Sequence, residues 1–142
     1  LGARLTLVVD IANVMGSVND GWYKDRLAAA ARWRDRLAPL AKRGVPGRAI
    51  GWPEFDGFYP QLVLVVEGRA GPLAERTWNE EPAVRVVRAP KDGDGQIVEE
   101  ARYAIDQGDI AVVATADREL RRRVETVGGA CLGPGALRRL LE

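Results

Sequence analysis

Leu5-Thr-Leu-Val-Val-Asp10 is the stretch that decides the fold of this chain. An almost continuous apolar run is typical of a strand covered on both faces, and here it ends directly in a carboxylate. Two further aspartates hold comparable positions, since Asp94 follows the apolar run at Val84–Arg88 and Asp117 follows Ile110–Ala114. The carboxyl ends of the strands line the ligand crevice of an open α/β sheet. We therefore expect the three carboxylates to share one edge of a sheet.

Strand-like runs alternate with helix-like segments along the chain, which predicts an α/β fold with a mostly parallel sheet of four to five strands. The expected strands are Leu5–Val9, Gln61–Val66, Val84–Arg88, Ile110–Ala114 and the short Ala130–Leu132. The expected helices are Tyr23–Leu40, Pro72–Trp78, Gly95–Gln107, Arg118–Val127 and Pro134–Leu141, and residues 15–22 have the composition of a loop. At 142 residues, without a repeat or linker, a single domain over residues 1–142 is expected.

Residues 44–60 are the one long stretch for which no regular structure is expected. Four aromatic residues, Trp52, Phe55, Phe58 and Tyr59, are interleaved there with glycines and prolines. A loop this long in a compact domain is often functional, and its rings could stack on nucleic-acid bases. The simpler alternative is that the rings pack the loop onto the sheet.

The sequence contains no histidine and a single cysteine, Cys131. These counts exclude histidine general bases, Ser-His-Asp triads, Cys/His zinc sites and a disulfide within the chain. Catalysis must then use carboxylates, Arg or Lys, hydroxyls and a metal. A reducing, cytoplasmic location is expected, and no membrane partner is expected because no apolar stretch approaches the ~20 residues that span a bilayer.

The acidic edge has the chemistry of a cation site. Carboxylates gathered together repel one another unless a cation joins them, and oxygen ligands favour Mg²⁺ or Mn²⁺. Glu67, directly after the strand at 61–66, would add a fourth carboxylate. Asn13 could orient a water or a phosphate oxygen, and Thr115 adds a hydroxyl group. Each residue has a structural alternative, because Asp, Asn and Thr commonly cap helices and turns.

Basic residues follow the acidic positions. Arg118, Arg121 and Arg122 have the i, i+3, i+4 spacing that places side chains on one helix face. Together with Lys91, they would neutralise the phosphates of an anionic polymer. The alternatives are a solvated helix face and biased codon usage, since the chain has eighteen arginines and three lysines.

Three motifs of the chain resemble those of NYN domains, which belong to the PIN-like ribonuclease group. The motifs are Val8-Val-Asp10-Ile-Ala-Asn13-Val, Asp92-Gly-Asp94-Gly-Gln-Ile-Val and Val112-Val-Ala-Thr115-Ala-Asp117-Arg118-Glu-Leu, in matching order across nearly the whole chain. The resemblance implies a Rossmann-like α/β/α sandwich and a Mg²⁺- or Mn²⁺-dependent nuclease that acts most often on RNA. It also implies that Asp10, Asp94 and Asp117 are metal ligands, that Asn13 is a polar site residue and that Glu67 is an acidic neighbour.

Three functions are open on the sequence alone. The first is a metal-dependent ribonuclease in which ions held by Asp10, Glu67, Asp94 and Asp117 activate a water molecule. The second is a catalytically weak module of the same fold that binds RNA or a protein partner. The third is a phosphohydrolase for small molecules, which a closed pocket built from residues 44–60 would favour.

Overall fold

A computed structural model of the protein describes residues 4–67, 84–90 and 93–142. Its strands are β1 (Leu5–Asp10), β2 (Val45–Pro46), β3 (Gly57–Phe58), β4 (Gln61–Val66), β5 (Arg85–Arg88), β6 (Ile110–Ala114) and β7 (Ala130–Leu132). Its α-helices are α1 (Ile11–Gly16), α2 (Arg26–Leu37), α3 (Leu40–Arg43), α4 (Gly93–Asp106), α5 (Arg118–Thr126) and α6 (Pro134–Leu140). The predicted helix Pro72–Trp78 and the candidate residue Lys91 lie outside the described residues.

The main sheet contains five parallel strands in the order β5-β4-β1-β6-β7. From β1 the chain continues to β4 and β5 on one side, and then crosses to β6 and β7 on the other. The direction of winding therefore reverses between β1 and β6. A ligand crevice is expected beyond the carboxyl ends of the strands at such a switch point.

Alternate side chains of β1 enter two separate apolar cores. Leu7 and Val9 pack with residues of α1, α2, α3 and α6, whereas Val8 packs with residues of α4 and α5. The helices thus cover both faces of the sheet, and the predicted α/β/α fold with a parallel sheet is confirmed. Because side chains alternate along a strand, Asp10 shares the face of Val8, which is the face that α4 covers.

The prediction of a loop at residues 15–22 is wrong at its start, because α1 begins directly after β1 and continues to Gly16. Ile11, Val14 and Met15 bury one side of this helix, and Asp10 caps its N-terminus. This short amphipathic pattern was not recognised as a helix in the sequence, because a glycine and several polar residues typical of a loop follow it. The predicted helix at 23–40 is also shorter, since Asp25 caps α2.

Residues 44–60 contain a short antiparallel pair, β2 with β3, and a 3₁₀ turn at Gly47–Ile50. Phe58 is buried in the core and Trp52 packs against it, so the packing alternative holds for these two rings. Phe55 and Tyr59 are 42% and 73% exposed. The segment leads into the start of β4, where Gln61 pairs with Thr6, four residues before Asp10. At ~3.3 Å per residue, roughly 13 Å of strand separates that end from the acidic edge.

Two neighbouring acidic residues of α4, Glu99 and Glu100, have different surroundings. Glu100 is only 8% exposed, because this side of α4 packs against the sheet. Its carboxylate accepts hydrogen bonds from the Arg85 guanidinium on β5 and from Gln96 Nε2. Glu99 and Arg102 are exposed and form an ion pair of 3.1 Å with each other.

Candidate active site

Asp10 is the centre of the polar residues at the switch point. It ends β1 and is 8% exposed. Its Oδ1 accepts a hydrogen bond from the backbone N–H of Asn13 at 3.3 Å, and its Oδ2 accepts one from Thr115 Oγ1 at 3.0 Å. The carboxylate therefore caps α1 and contacts the loop after β6 at the same time. The turn-capping alternative for Asp10 is correct, and it coexists with a place in the crevice.

Two further hydrogen bonds hold the loop that follows β6, one of them with a residue of α1. The side-chain oxygen of Asn13 accepts a hydrogen bond from the backbone N–H of Ala116 at 2.8 Å. The hydroxyl oxygen of Thr115, which is fully buried, accepts one from the backbone N–H of Asp117 at 3.2 Å. Asn13 and Thr115 thus fix the position of the loop after β6 relative to α1 and Asp10.

The carboxyl group of Asp10 has a strongly perturbed proton affinity. Burial raises its pKa from 3.8 to about 6, and the hydrogen bonds from Thr115 and Asn13 oppose this rise. The negative charges of Asp94 and Glu67 raise the pKa further. Glu67 and Asp94 therefore lie within electrostatic reach of Asp10.

Glu67 lies close to the start of α4, the helix that carries Asp94 in its first turn. The helix begins at Gly93 rather than at the predicted Gly95, so Asp94 lies within its first turn. Glu67 directly follows β4, and a Cβ atom added to Gly93 would lie only 2.6 Å from Glu67 Oε2. Gly93 was not recognised as a site residue from the sequence, although its position in the motif Asp92-Gly-Asp94-Gly offered a signal.

Asp117 occupies the N-cap of α5. The backbone N–H of Leu120 donates to its Oδ1 at 3.0 Å, so the capping alternative is correct. Asp117 is exposed, and it is connected to Asp10 through Thr115. Participation of Asp117 in metal binding stays a prediction.

The three arginines of α5 have different surroundings. Arg118, the first residue of the helix, is exposed next to Asp117. Arg122 forms an ion pair of 2.7 Å with Glu119. Arg121 is half-buried, and its charge acts on the thiol of Cys131 in β7. The three arginines therefore do not form a uniformly exposed basic face. Of the three, Arg118 is the closest in sequence to the acidic residues.

The residues at this edge fit Mg²⁺ or Mn²⁺ in chemical type. Their donors are carboxylate oxygens, which these ions prefer, and a cation would relieve the repulsion that acts on Asp10. Within residues 4–67, 84–90 and 93–142, no three acidic, cysteine or histidine side chains are grouped closely enough to form a ready-made metal site. The support for a metal therefore comes from donor chemistry and electrostatics. In the same part of the chain, no helix has the length and apolar character needed to cross a membrane.

The structure resembles a known protein. The chain aligns with Rae1 (YacP) from Bacillus subtilis at a TM-score of 0.69 and 17% identity, over 96% of this chain and 72% of that one. A mutant of the same protein aligns at a TM-score of 0.68 and 15% identity, over 97% and 74% of the two chains. The fold is PIN-like. No family model matches the sequence, and no curated protein matches it.

Proposed function

We propose that this protein is a metal-dependent ribonuclease that hydrolyses phosphodiester bonds at the carboxyl edge of its sheet. The observation that carries the proposal is the buried Asp10 at the switch point, whose pKa is about 6 and is raised in part by Asp94 and Glu67. The PIN-like fold supports it, because this is the fold that the resemblance of the three sequence motifs to NYN domains implies.

Asp10, Glu67, Asp94 and Asp117 would hold one or two Mg²⁺ or Mn²⁺ ions. A bound ion supplies an activated water molecule and stabilises negative charge on the phosphate. Asn13 and Thr115 hold Asp10 and the loop of Asp117 in place. Asp10 must release its proton before it can act as a metal ligand.

The RNA substrate would approach over the start of α5. Arg118 is exposed beside Asp117 and would bind a phosphate of the strand. Lys91, three residues before Asp94, is proposed for the same role on sequence grounds. Arg121 and Arg122 would contribute less, because one is half-buried and the other is paired with Glu119.

The two alternative functions have less support. A small-molecule phosphohydrolase was linked to a closed pocket of residues 44–60. That segment instead lines an open cavity of about 660 Å³ with Arg43 and Arg139, at the amino end of β4. A catalytically weak binding module would be favoured by a site without Glu67, but the charge of Glu67 acts on Asp10.

The test is a cleavage assay with labelled RNA, single-stranded DNA and a small phosphodiester, with Mn²⁺ or with EDTA. We expect Mn²⁺-dependent cleavage of RNA that Asp10→Asn and Asp94→Asn each reduce by at least about 100-fold, since loss of a group that only supports a metal ligand already costs roughly 10- to 100-fold. Glu99→Gln is the matched control, because Glu99 is an exposed acidic residue of the same helix as Asp94. RNA cleavage that persists in EDTA or in Asp10→Asn would refute the proposal.

A further inference from the structure

Gly93 has an unusually close neighbour. It is the first residue of α4 and is buried. A Cβ atom at this position would lie 2.6 Å from Oε2 and 3.6 Å from Cδ of Glu67, and 3.8 Å from Cγ1 of Val65. Real Cβ atoms essentially never approach another heavy atom within 3.0 Å. A side chain at position 93 and the present position of the Glu67 carboxylate therefore exclude each other.

The reason for glycine here is space. Gly93 is helical and is not among the glycines with positive φ, which in the described residues are Gly21, Gly44, Gly51, Gly108 and Gly128. Alanine would consequently suit the backbone at position 93. The atom in its way is the end of a flexible side chain, so the Glu67 carboxylate would move and the helix would remain.

We infer that Gly93 is a positioning residue, whose missing side chain leaves room for the Glu67 carboxylate at the start of α4, on the edge of the sheet that carries Asp10 and Asp94, where it is an oxygen donor available to a divalent cation. Glu67 comes from the end of β4, and Asp94 from the first turn of α4. Glu67 contacts the start of α4 at Gly93, and the charges of Glu67 and Asp94 both act on Asp10. The role of the cation rests on the proposed function, whereas the seating of Glu67 rests on the geometry.

Gly95 provides a matched control two residues away in α4. A Cβ atom at Gly95 would meet no atom within 4 Å. Both Gly93→Ala and Gly95→Ala replace glycine by the best helix former, so the two substitutions change helix propensity in the same direction. Only the substitution at position 93 enters the space of Glu67. A difference between the two variants therefore reports on Glu67 and not on helix propensity.

The first experiment is a pair of metal-free crystal structures, one of each variant. We expect the Glu67 carboxylate to move by about 1 Å or more in Gly93→Ala, because ordinary contacts to a Cβ atom are 3.4–4 Å long. It should keep its position in Gly95→Ala. An unmoved Glu67 in a well-folded Gly93→Ala would overturn the inference, whether or not the protein binds metal.

The second experiment measures Mn²⁺ affinity by calorimetry without RNA. We expect Gly93→Ala to weaken binding about 10-fold, as changes around metal ligands do, and Gly95→Ala to change it by less than about twofold. In a Glu67→Ala background, adding Gly93→Ala should have no further effect, since the residue acts through Glu67. A further loss in that double variant would overturn the inference. Absence of Mn²⁺ binding in the unmutated protein would refute the proposed function, and the metal-free structures would still decide the seating of Glu67.

Discussion

Asp10 experiences opposing influences on its carboxyl group. The hydrogen bonds from Thr115 and Asn13 favour the ionised form, whereas burial and the charges of Asp94 and Glu67 favour the protonated form. Burial is the largest of these effects, so the pKa rises to about 6. A carboxylate with this pKa is destabilising at neutral pH unless a cation compensates for it. The same residue therefore favours metal binding and limits the stability of the metal-free protein.

The stability of the metal-free protein should fall with rising pH because of Asp10. The folded protein keeps this proton up to about pH 6, whereas the unfolded chain releases it near the ordinary value of 3.8. The contribution of the group to the free energy of unfolding is therefore full below about pH 4 and declines by roughly 3 kcal/mol by pH 7. Asp10→Asn should lack this decline. Urea denaturation in EDTA from pH 4 to pH 7 measures it, and equal pH dependence in both proteins would contradict the prediction.

At the scale of elements, two helices begin at residues of the proposed active site. Asp10 caps α1 and Asp117 caps α5. With six residues, α1 is too short to be stable alone, so its cap and its buried side carry much of its stability. The geometry of the site therefore depends on the formation of these two helices. A substitution at either aspartate can change both the site and the helix that the aspartate caps.

Asp117 allows the two roles to be separated. Asp117→Ala removes the oxygen that accepts from Leu120 and should lower the free energy of unfolding by about 1 kcal/mol, whereas Asp117→Asn should keep most of the cap. Both variants should lose Mn²⁺-dependent RNA cleavage. Asp25→Ala is the control, because Asp25 caps α2 through the same type of bond, to Ala28 at 3.0 Å. Urea denaturation and the cleavage assay test this, and full activity in Asp117→Asn would restrict Asp117 to capping.

The arginines of α5 should differ in their contributions to RNA binding. Arg118→Ala should weaken binding and reduce the slope of log affinity against log salt by roughly one unit or less, as loss of one phosphate contact does. Arg122→Ala should have a smaller effect, because this guanidinium is paired with Glu119. RNA affinity across a salt series, measured with Asp10→Asn to prevent cleavage, distinguishes them. Equal effects of the two substitutions would contradict this prediction and would show that the whole basic face of α5 contributes to RNA binding.

In the molecule as a whole, the acidic residues and the exposed ring of Tyr59 lie at opposite ends of the parallel strands. The acidic residues lie beyond the carboxyl ends of β1 and β4 and around the start of α5. The exposed ring of Tyr59 lies next to the amino end of β4 and lines the cavity with Arg43 and Arg139. Parallel strands keep these ends apart, since every strand of the sheet runs in the same direction.

Tyr59 should therefore have no part in RNA cleavage. Its ring is 73% exposed, so Tyr59→Ala is expected to leave the fold intact. We expect RNA affinity and cleavage rate to stay within about twofold of the unmutated protein, because distant sites act independently. Filter binding and the cleavage assay measure both quantities. A large loss of affinity would show that the RNA extends to the amino ends of the strands. It would then support the alternative that aromatic rings of residues 44–60 stack on bases.

Hydrophobic patterning alone predicted the five strands of the main sheet, their mostly parallel arrangement and the acidic residues that follow them. These features are local: a doubly covered strand is a continuous apolar run, and the residue after it belongs to a sheet edge. Asp10, Asp94 and Asp117 were recognisable because each stands at or shortly after the end of such a run. The same local rules also predicted α4, α5 and α6 closely.

The strand order, the burial of Glu100 and the contact between Glu67 and Gly93 could be recognised only in the folded structure. In each case the partner is distant in the sequence: Glu100 binds Arg85 across the α4–β5 contact, and Glu67 is separated from Gly93 by a whole connection and β5. Hydrophobic periodicity indicates which side of a helix or strand is buried, but it does not indicate which polar group of a neighbouring element packs against that side. A buried carboxylate needs a specific partner, and chain topology alone determines which residue that is.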